Sequence, residues 1–284
     1  MYISTLDWIN SHKSSQHGSP TQAFSRRAVI ATIAVGLLAP NSLKAQINNL
    51  PDAINRSGRQ RMLSQQLAKA WLLILSGVDR EGGTKILNSA TEAFDKTLLD
   101  LKVFAAVTIQ KDIISLEWVW SEYKALLLGA PPSADKVPQL IRASDTVLTQ
   151  SNTITQALES TTNAGKHSRI INIAGRQRML TQRIARQGFL SVVSRENKGL
   201  WAPSPMILTS LVKEFEEAHT ILKAYPGNTD TIKGQLQVCE SQWAFFKWWL
   251  EKNTTPELLR QLSVSSELIL KTLDPLVAQY AKLT

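Results

Sequence analysis

The chain has 284 residues and a formal net charge of +9, with 32 Lys and Arg against 23 Asp and Glu. This length accommodates two domains of ordinary size, and the positive balance favours anionic partners. The sequence has no lysine–arginine run and no nucleic-acid-binding motif, so a nucleic-acid partner is not expected. One cysteine, Cys239, excludes an intramolecular disulfide, and we expect it to be packed rather than reactive.

Residues 1–45 are predicted to be a signal peptide of the twin-arginine type. Arg26 and Arg27 precede an apolar segment, residues 28–39, which is shorter than the roughly 20 residues that span a membrane. A short polar region then ends at Ala45, where we expect cleavage. An uncleaved membrane anchor is the alternative. No other stretch approaches eighteen apolar residues, so the mature protein is expected to be soluble and periplasmic.

A motif occurs twice in the chain. Residues 55–69 recur as residues 172–186, and nine of these fifteen positions are identical. The offset of 117 residues is the size of a small domain rather than of a solenoid repeat. Apolar residues elsewhere recur at matched internal spacing: Leu87, Phe94 and Leu101 return as Leu208, Phe215 and Leu222. We therefore predict a duplicated domain, at residues 46–164 and 165–284.

The fold is predicted to be all-α, with two tandem antiparallel four-helix bundles, because apolar residues recur at three- and four-residue spacing. In the first copy, helices are expected at residues 51–75, 84–107 and 112–128 and from residue 138 onward. The glycines in Glu81-Gly82-Gly83 predict a turn. The bundles lie either side by side, which requires a reversal near residues 163–166, or end to end through one nearly continuous helix. We favour the first arrangement.

The repeated motif carries one arginine on an unusual helix face. At about 100° per residue, Arg61 shares its face with Gln65 and lies close to Gly58, while the leucines of the motif occupy the opposite side. In the second copy, Arg178 is placed likewise beside Gly175 and Gln182. Small residues allow a partner helix to approach closely. Both arginines are therefore predicted to lie in a tight contact between helices.

Such an arginine needs a counter-charge, because an unpaired buried cation costs several kcal/mol. Residues 53–78 and 160–195 contain no Asp or Glu. Either Arg61 and Arg178 lie exposed or pair with acids of other helices, such as Glu117 and Glu240, or a small anion arrives from outside. The paired N–H donors of a guanidinium fit a planar oxyanion better than the point charge of a lysine does. Physical chemistry alone leaves both alternatives open.

The motif resembles the signature of the PilJ-type sensory domain, found at the N-terminus of type IV pili methyl-accepting chemotaxis transducers, and the periplasmic box of nitrate/nitrite sensor kinases. The resemblance implies antiparallel four-helix bundles that bind nitrate or nitrite between the first helices of two protomers. It implies that Arg61 and Arg178 are direct ligands. The other ligand-binding residues are then Gly58 and Gly175, for close approach, and Gln65 and Gln182, as secondary donors.

Members of this family have flanking transmembrane helices and a cytoplasmic signalling portion, and neither is expected from this sequence. We therefore expect signalling through a separate partner, a membrane receptor or sensor kinase. Two copies in one chain are expected to form the anion site internally, and a homodimer is needed only if Arg61 and Arg178 lie far apart.

The functional prediction is an extracytoplasmic sensory protein for a small oxyanion, nitrate or nitrite. The alternative is a helical interaction module that binds no ligand and docks on a membrane receptor or respiratory complex. Catalysis is not expected, because no nucleophile comes with an identifiable base. Neither a cofactor nor a metal is expected, because no cluster of His, Cys, Asp and Glu has metal-ligand spacing.

Overall fold

The computed structural model describes residues 47–104, 109–161, 167–197, 204–252 and 255–283. These residues form α-helices and no strand, so the predicted all-α class is confirmed. The predicted signal segment, residues 1–45, lies outside the described residues. The helices are α1 (Leu50–Ser76), α2 (Arg80–Phe104), α3 (Gln110–Leu128), α4 (Val137–Glu159), α5 (Ser168–Glu196), α6 (Pro205–Lys223), α7 (Asp230–Glu251) and α8 (Pro256–Tyr280).

Local sequence fixes the ends of α1. The side chain of Asn49 accepts a hydrogen bond from the backbone N–H of Asp52, and Pro51 occupies the first turn, where its missing N–H costs nothing. Gly77 ends the helix with φ of 71°, a left-handed conformation that glycine adopts without strain. The observed helix therefore agrees with the predicted residues 51–75 to within one residue at either end.

The start of α2 differs from the prediction. The expected turn at Glu81-Gly82-Gly83 is the first turn of the helix, which begins at Arg80. Asp79 is the cause, because its carboxylate accepts a hydrogen bond of 2.8 Å from the backbone N–H of Gly82. A side chain that satisfies a free N–H at a helix start offsets the low helix propensity of the glycines that follow.

Two sets of four helices pack in the same pattern. In the first, α1 packs on α2 and α4, and α3 packs on α4; in the second, α5 packs on α6 and α8, and α7 packs on α8. The ring of Phe94 in α2 stacks on Trp120 in α3 with centroids 3.8 Å apart. Phe215 in α6 stacks on Trp243 in α7 at the same distance. Each stack packs the second helix of its set against the third.

The helices α1 and α5 form the most extensive helix–helix contact among the described residues, and they run parallel. Near their starts, Arg61 of α1 contacts Asn172 of α5. Further along both helices, Lys69 of α1 and Gln182 of α5 donate hydrogen bonds to the same residue of α8, Ser266. The contacts thus advance along both helices in the same direction.

The connection between α4 and α5 bears on the arrangement of the two predicted copies. The helix α4 ends at Glu159 and a separate helix begins at Ser168. The described residues therefore do not form the continuous helix that an end-to-end arrangement requires. Residues 45–284 cluster as one compact unit, and the division at residues 164 and 165 stays a prediction.

Candidate anion-binding site

Arg61 and Arg178 meet in the seam between α1 and α5. Their exposed fractions are 1% and 2%, so both guanidinium groups are removed from solvent. A methyl group placed on Gly58 would lie 3.2 Å from Nη2 of Arg61 and 3.8 Å from Nη2 of Arg178. At Gly175 the same distances would be 3.5 Å and 3.6 Å. The two glycines therefore provide the space in which the two guanidinium groups come together.

Each arginine reaches across the seam to an asparagine of the opposite helix. Nη2 of Arg61 donates to Oδ1 of Asn172 at 2.7 Å. Nη2 of Arg178 donates to Oδ1 of Asn55 at 3.0 Å and to its backbone carbonyl at 3.1 Å. These asparagines open the two copies of the motif, and the sequence analysis did not identify them as site residues. The same residue, asparagine, stands at this position in both copies of the motif, and this could have indicated that the two residues belong to the site.

The second nitrogen of each arginine has a different partner in the two halves of the site. Nη1 of Arg61 donates to Oδ1 of Asn152 in α4 at 2.9 Å, so its acceptor is a neutral amide. Nη1 of Arg178 donates to Oδ1 of Asp274 in α8 at 2.9 Å, which is an ion pair. Of the two alternatives, pairing with an acid of another helix is thus observed for Arg178, while the direct contacts of Arg61 include no carboxylate.

The acids that the sequence analysis considered as partners pair elsewhere. Glu117 lies 2.7 Å from Nζ of Lys102, and Glu240 lies 2.8 Å from Nζ of Lys223. Both pairs bridge neighbouring helices on the surface, away from the seam. Glu117 and Glu240 therefore do not pair with Arg61 and Arg178.

The seam carries an excess of positive charge around Arg61. Burial lowers the pKa of Arg61 to about 9, with further contributions from Arg176 and Arg178, and Glu159 offsets only part of this. The pKa of Arg178 is also lowered by burial, while Asp274 opposes the shift. Within the part of the chain that the structure describes, Nε of neither buried arginine has a hydrogen-bond partner. The site thus retains donor capacity and positive charge.

The motif glutamines bind the fourth helix of each set. Nε2 of Gln65 donates to the backbone carbonyl of Ser144 at 3.1 Å, and Nε2 of Gln182 donates to that of Ser266 at 3.1 Å. These nitrogens, expected as secondary donors to an anion, are therefore already engaged by α4 and α8. Their role in the structure is to hold the first helix of each set against the fourth.

A second pair of buried cations lies further along the seam. Nζ of Lys69 in α1 contacts the carboxylate of Glu267 in α8. Arg186 in α5 donates to Oγ of Ser144 at 2.7 Å and to Oδ1 of Asp145 at 2.9 Å, both in α4. Both cations are fully buried, and both cross from one set of helices to the other. Each has a carboxylate partner, unlike Arg61.

A cleft of about 370 Å³ opens from solvent onto Arg178. Residues of α1, α2 and α8 line it, and Asn55 and Asp274 lie beside Arg178. The exposed cations Arg59 and Lys96 also line the cleft. Asp52 and Asp100 line it as well, so the cleft is mixed in charge, and it gives a small anion a path from the surface to one end of the arginine pair.

The described residues offer no alternative centre for metal chemistry. No group of three or more His, Cys, Asp and Glu among them has the geometry to hold a metal ion. Cys239 is buried, and burial raises the pKa of its thiol to about 12. None of the described helices is long and apolar enough to cross a membrane.

The described residues thus form an all-α unit with buried cations in a seam between two parallel helices. Residues 43–142 match the family PilJ, described as type IV pili methyl-accepting chemotaxis transducer N-term. The match includes α1, α2, α3 and the first residues of α4. The resemblance to PilJ is thereby confirmed. No curated protein and no solved structure matched the chain.

The family match bears on the role of residues 43–142. PilJ domains are sensory and signalling domains of chemotaxis transducers rather than catalytic ones, and they are typically periplasmic. Their work in transducer signalling is consistent with a receptor or kinase partner. The predicted sensory class is confirmed at this level for the matched residues.

Proposed function

We propose that the protein is a periplasmic receptor for a small oxyanion, nitrate or nitrite, bound between Arg61 and Arg178. The observation that carries the proposal is the meeting of two buried guanidinium groups over Gly58 and Gly175, where only Arg178 has a carboxylate, that of Asp274, in direct contact among the described residues. Like charges at this distance repel, and burial makes the repulsion worse because the surrounding dielectric constant is low. An anion between them would turn this repulsion into attraction.

The geometry supports a planar guest. The Nη2 atoms of both arginines lie close to the same two glycines, so one oxyanion could accept hydrogen bonds from both. The free Nε atoms of Arg61 and Arg178 add donors that the chain itself does not use among its described residues. Gln65 and Gln182 remain secondary donors in this proposal, since each already uses an amide N–H to bind α4 or α8.

The proposal includes a duplicated domain with an internal site. The paired contacts support it: Gln60 donates to the backbone carbonyl of Phe94, and Gln177 donates to that of Phe215. The two arginines come from α1 and α5 of one chain, so no second copy is needed to complete the site. Export through the twin-arginine pathway, with cleavage near Ala45, and signalling through a separate membrane receptor or sensor kinase complete the proposal.

Calorimetry of the purified protein with sodium nitrate, nitrite, chloride and sulfate tests this function. We expect saturable binding of nitrate or nitrite with one anion per chain. Arg61→Lys and Arg178→Lys keep the charge but remove the planar donor pair, so each is expected to weaken binding at least tenfold. Arg142→Lys, at an exposed position, is the matched control and should bind as the wild type does.

The second candidate is an interaction module without a ligand. The ion pair between Arg178 and Asp274 favours it, because part of the charge in the seam is already compensated by the chain. In this case the arginines stabilise the contact between α1 and α5, and none of the four anions produces binding heat. Unaltered thermal unfolding in the presence of each anion would support the same conclusion.

A further inference from the structure

The two arginines have partners at corresponding places in the fold. Asn152 lies eight residues after Ser144 in α4, and Asp274 lies eight residues after Ser266 in α8. The backbone carbonyls of the two serines hold the two motif glutamines in the same way. At equivalent positions, therefore, Arg61 meets an amide and Arg178 meets a carboxylate.

The direct contacts leave one positive charge in the site. Arg61 and Arg178 contribute two positive charges, and Asp274 contributes one negative charge. The next charges outward do not touch either guanidinium group: Arg176 lowers the pKa of Arg61 while Glu159 and Glu214 raise it, and Arg59 lowers the pKa of Arg178. Glu159 reaches the site only through the side-chain amide of Asn172, so it does not neutralise either guanidinium directly.

We infer that Asp274 is a specificity-determining residue that restricts the site to a singly charged anion. The inference rests on the proposed function and deepens it. Both guanidinium groups are almost fully buried, whereas the side chain of Asp274 is 35% exposed where the cleft opens onto Arg178. At buried cations, the guest that leaves no uncompensated charge is favoured, because buried unpaired charge is strongly destabilising. One net positive charge is cancelled by a monoanion such as nitrate, nitrite or chloride. A dianion such as sulfate would leave one negative charge beside the carboxylate of Asp274.

Two mirror-image variants change this charge within geometries that the chain already contains. Asp274→Asn gives Arg178 the amide partner that Arg61 has, and it raises the net charge of the site to two. Asn152→Asp gives Arg61 the carboxylate partner that Arg178 has, and it lowers the net charge to zero. Glu122→Gln removes one negative charge at an exposed position and controls for the general effect of protein charge.

The experiment is calorimetric titration of the full protein and of each variant with sodium nitrate and sodium sulfate in a buffer free of other inorganic anions. The wild type is expected to prefer nitrate over sulfate. Asp274→Asn should reduce this preference at least tenfold, mainly by gaining affinity for sulfate. Asn152→Asp should weaken nitrate binding at least tenfold. Glu122→Gln should change neither, and circular dichroism should show the same helical content in all four proteins.

The outcomes separate this inference from the function on which it rests. If the wild type binds none of the anions, the proposed function itself is refuted. If the wild type binds nitrate, but Asp274→Asn and Asn152→Asp keep its preference for nitrate over sulfate within twofold, the receptor stands and the charge rule is refuted. Equal affinity of the wild type for nitrate and sulfate would also overturn the rule.

Discussion

Replacing Gly175 by alanine should stabilise the protein and weaken its binding of nitrate. In the interior of a helix, glycine is about 1 kcal/mol less favourable than alanine, so Gly175→Ala should raise the free energy of unfolding by up to about this amount. The added methyl group would lie 3.5 Å and 3.6 Å from the two Nη2 atoms, which are ordinary contact distances. The methyl group therefore causes no steric clash in the unliganded protein, and the gain in stability should be retained.

The same methyl group should interfere with the guest. An anion oxygen that accepts hydrogen bonds from both Nη2 atoms must lie at about 2.9 Å from each, on the side where Gly175 leaves space. We expect the added carbon to displace it and to reduce nitrate affinity at least tenfold, which is about 1.4 kcal/mol. For a unit of this size, 1 kcal/mol of added stability corresponds to about 2–4 °C in Tm.

Gly234→Ala is the reference variant for this experiment. Gly234 lies in α7, and nothing is within 4 Å of a methyl group placed there, so the variant measures the helix-propensity gain alone. Urea denaturation gives the stability of both variants without anion, and calorimetry gives their nitrate affinity. Wild-type nitrate affinity in Gly175→Ala would refute the placement of the guest. A stability more than about 1 kcal/mol below that of Gly234→Ala would refute the geometry of the unliganded seam.

Three further predictions concern groups outside the site. The buried thiol of Cys239, whose pKa is raised to about 12, should react with Ellman's reagent at pH 8 only after denaturation. Burial lowers the pKa of His219 below 6.5, so the unfolded chain binds more protons as the pH falls and the native state loses stability. Leu98 lies four residues after Phe94 in the first set of helices, at the position that matches His219 in the second. His219→Leu introduces that leucine, and it should reduce the loss of unfolding free energy between pH 7 and pH 5. Tyr123 donates to a backbone carbonyl of α1 at 2.9 Å, so Tyr123→Phe should cost about 1 kcal/mol, although Phe246 fills the matching place in α7.

Each of these predictions has a clear contrary result. Rapid labelling of the native thiol would place Cys239 at the surface. Equal pH dependence of urea denaturation in wild type and His219→Leu would show that the histidine does not titrate between the two states. A Tyr123→Phe variant as stable as the wild type would show that the hydroxyl group contributes nothing beyond the ring.

The sequence was sufficient for features that depend on neighbours along one helix. The face shared by Gly58, Arg61 and Gln65 followed from the helical repeat, and the structure buries all three. The ends of α1 followed from its proline and glycine. The start of α2 did not, because the cap supplied by Asp79 outweighed the glycines on which the predicted turn was based.

Contacts between residues that lie far apart in the chain could not be predicted from the helical repeat. Asp274 is separated from Arg178 by 96 residues, and the choice between it and other acids depends on how α8 is rotated against α5. The contacts of Asn55 and Asn172 could have been predicted from the geometry of parallel helices. Helical side chains point toward the N-terminus, so on two parallel helices an arginine should meet residues that precede its own counterpart.

The parallel seam between α1 and α5 consists of two stretches of one polypeptide, and this has a consequence for what it can hold. In a seam between identical subunits, every substitution appears twice, so acids there come in even numbers and two arginines can be left with a surplus of two or none. Covalent linkage removes that restriction. A change from asparagine to aspartate at only one of two matching positions, as seen at Asn152 and Asp274, alters one side of the seam. It leaves an odd number of positive charges in excess, which no symmetric pair of chains can have.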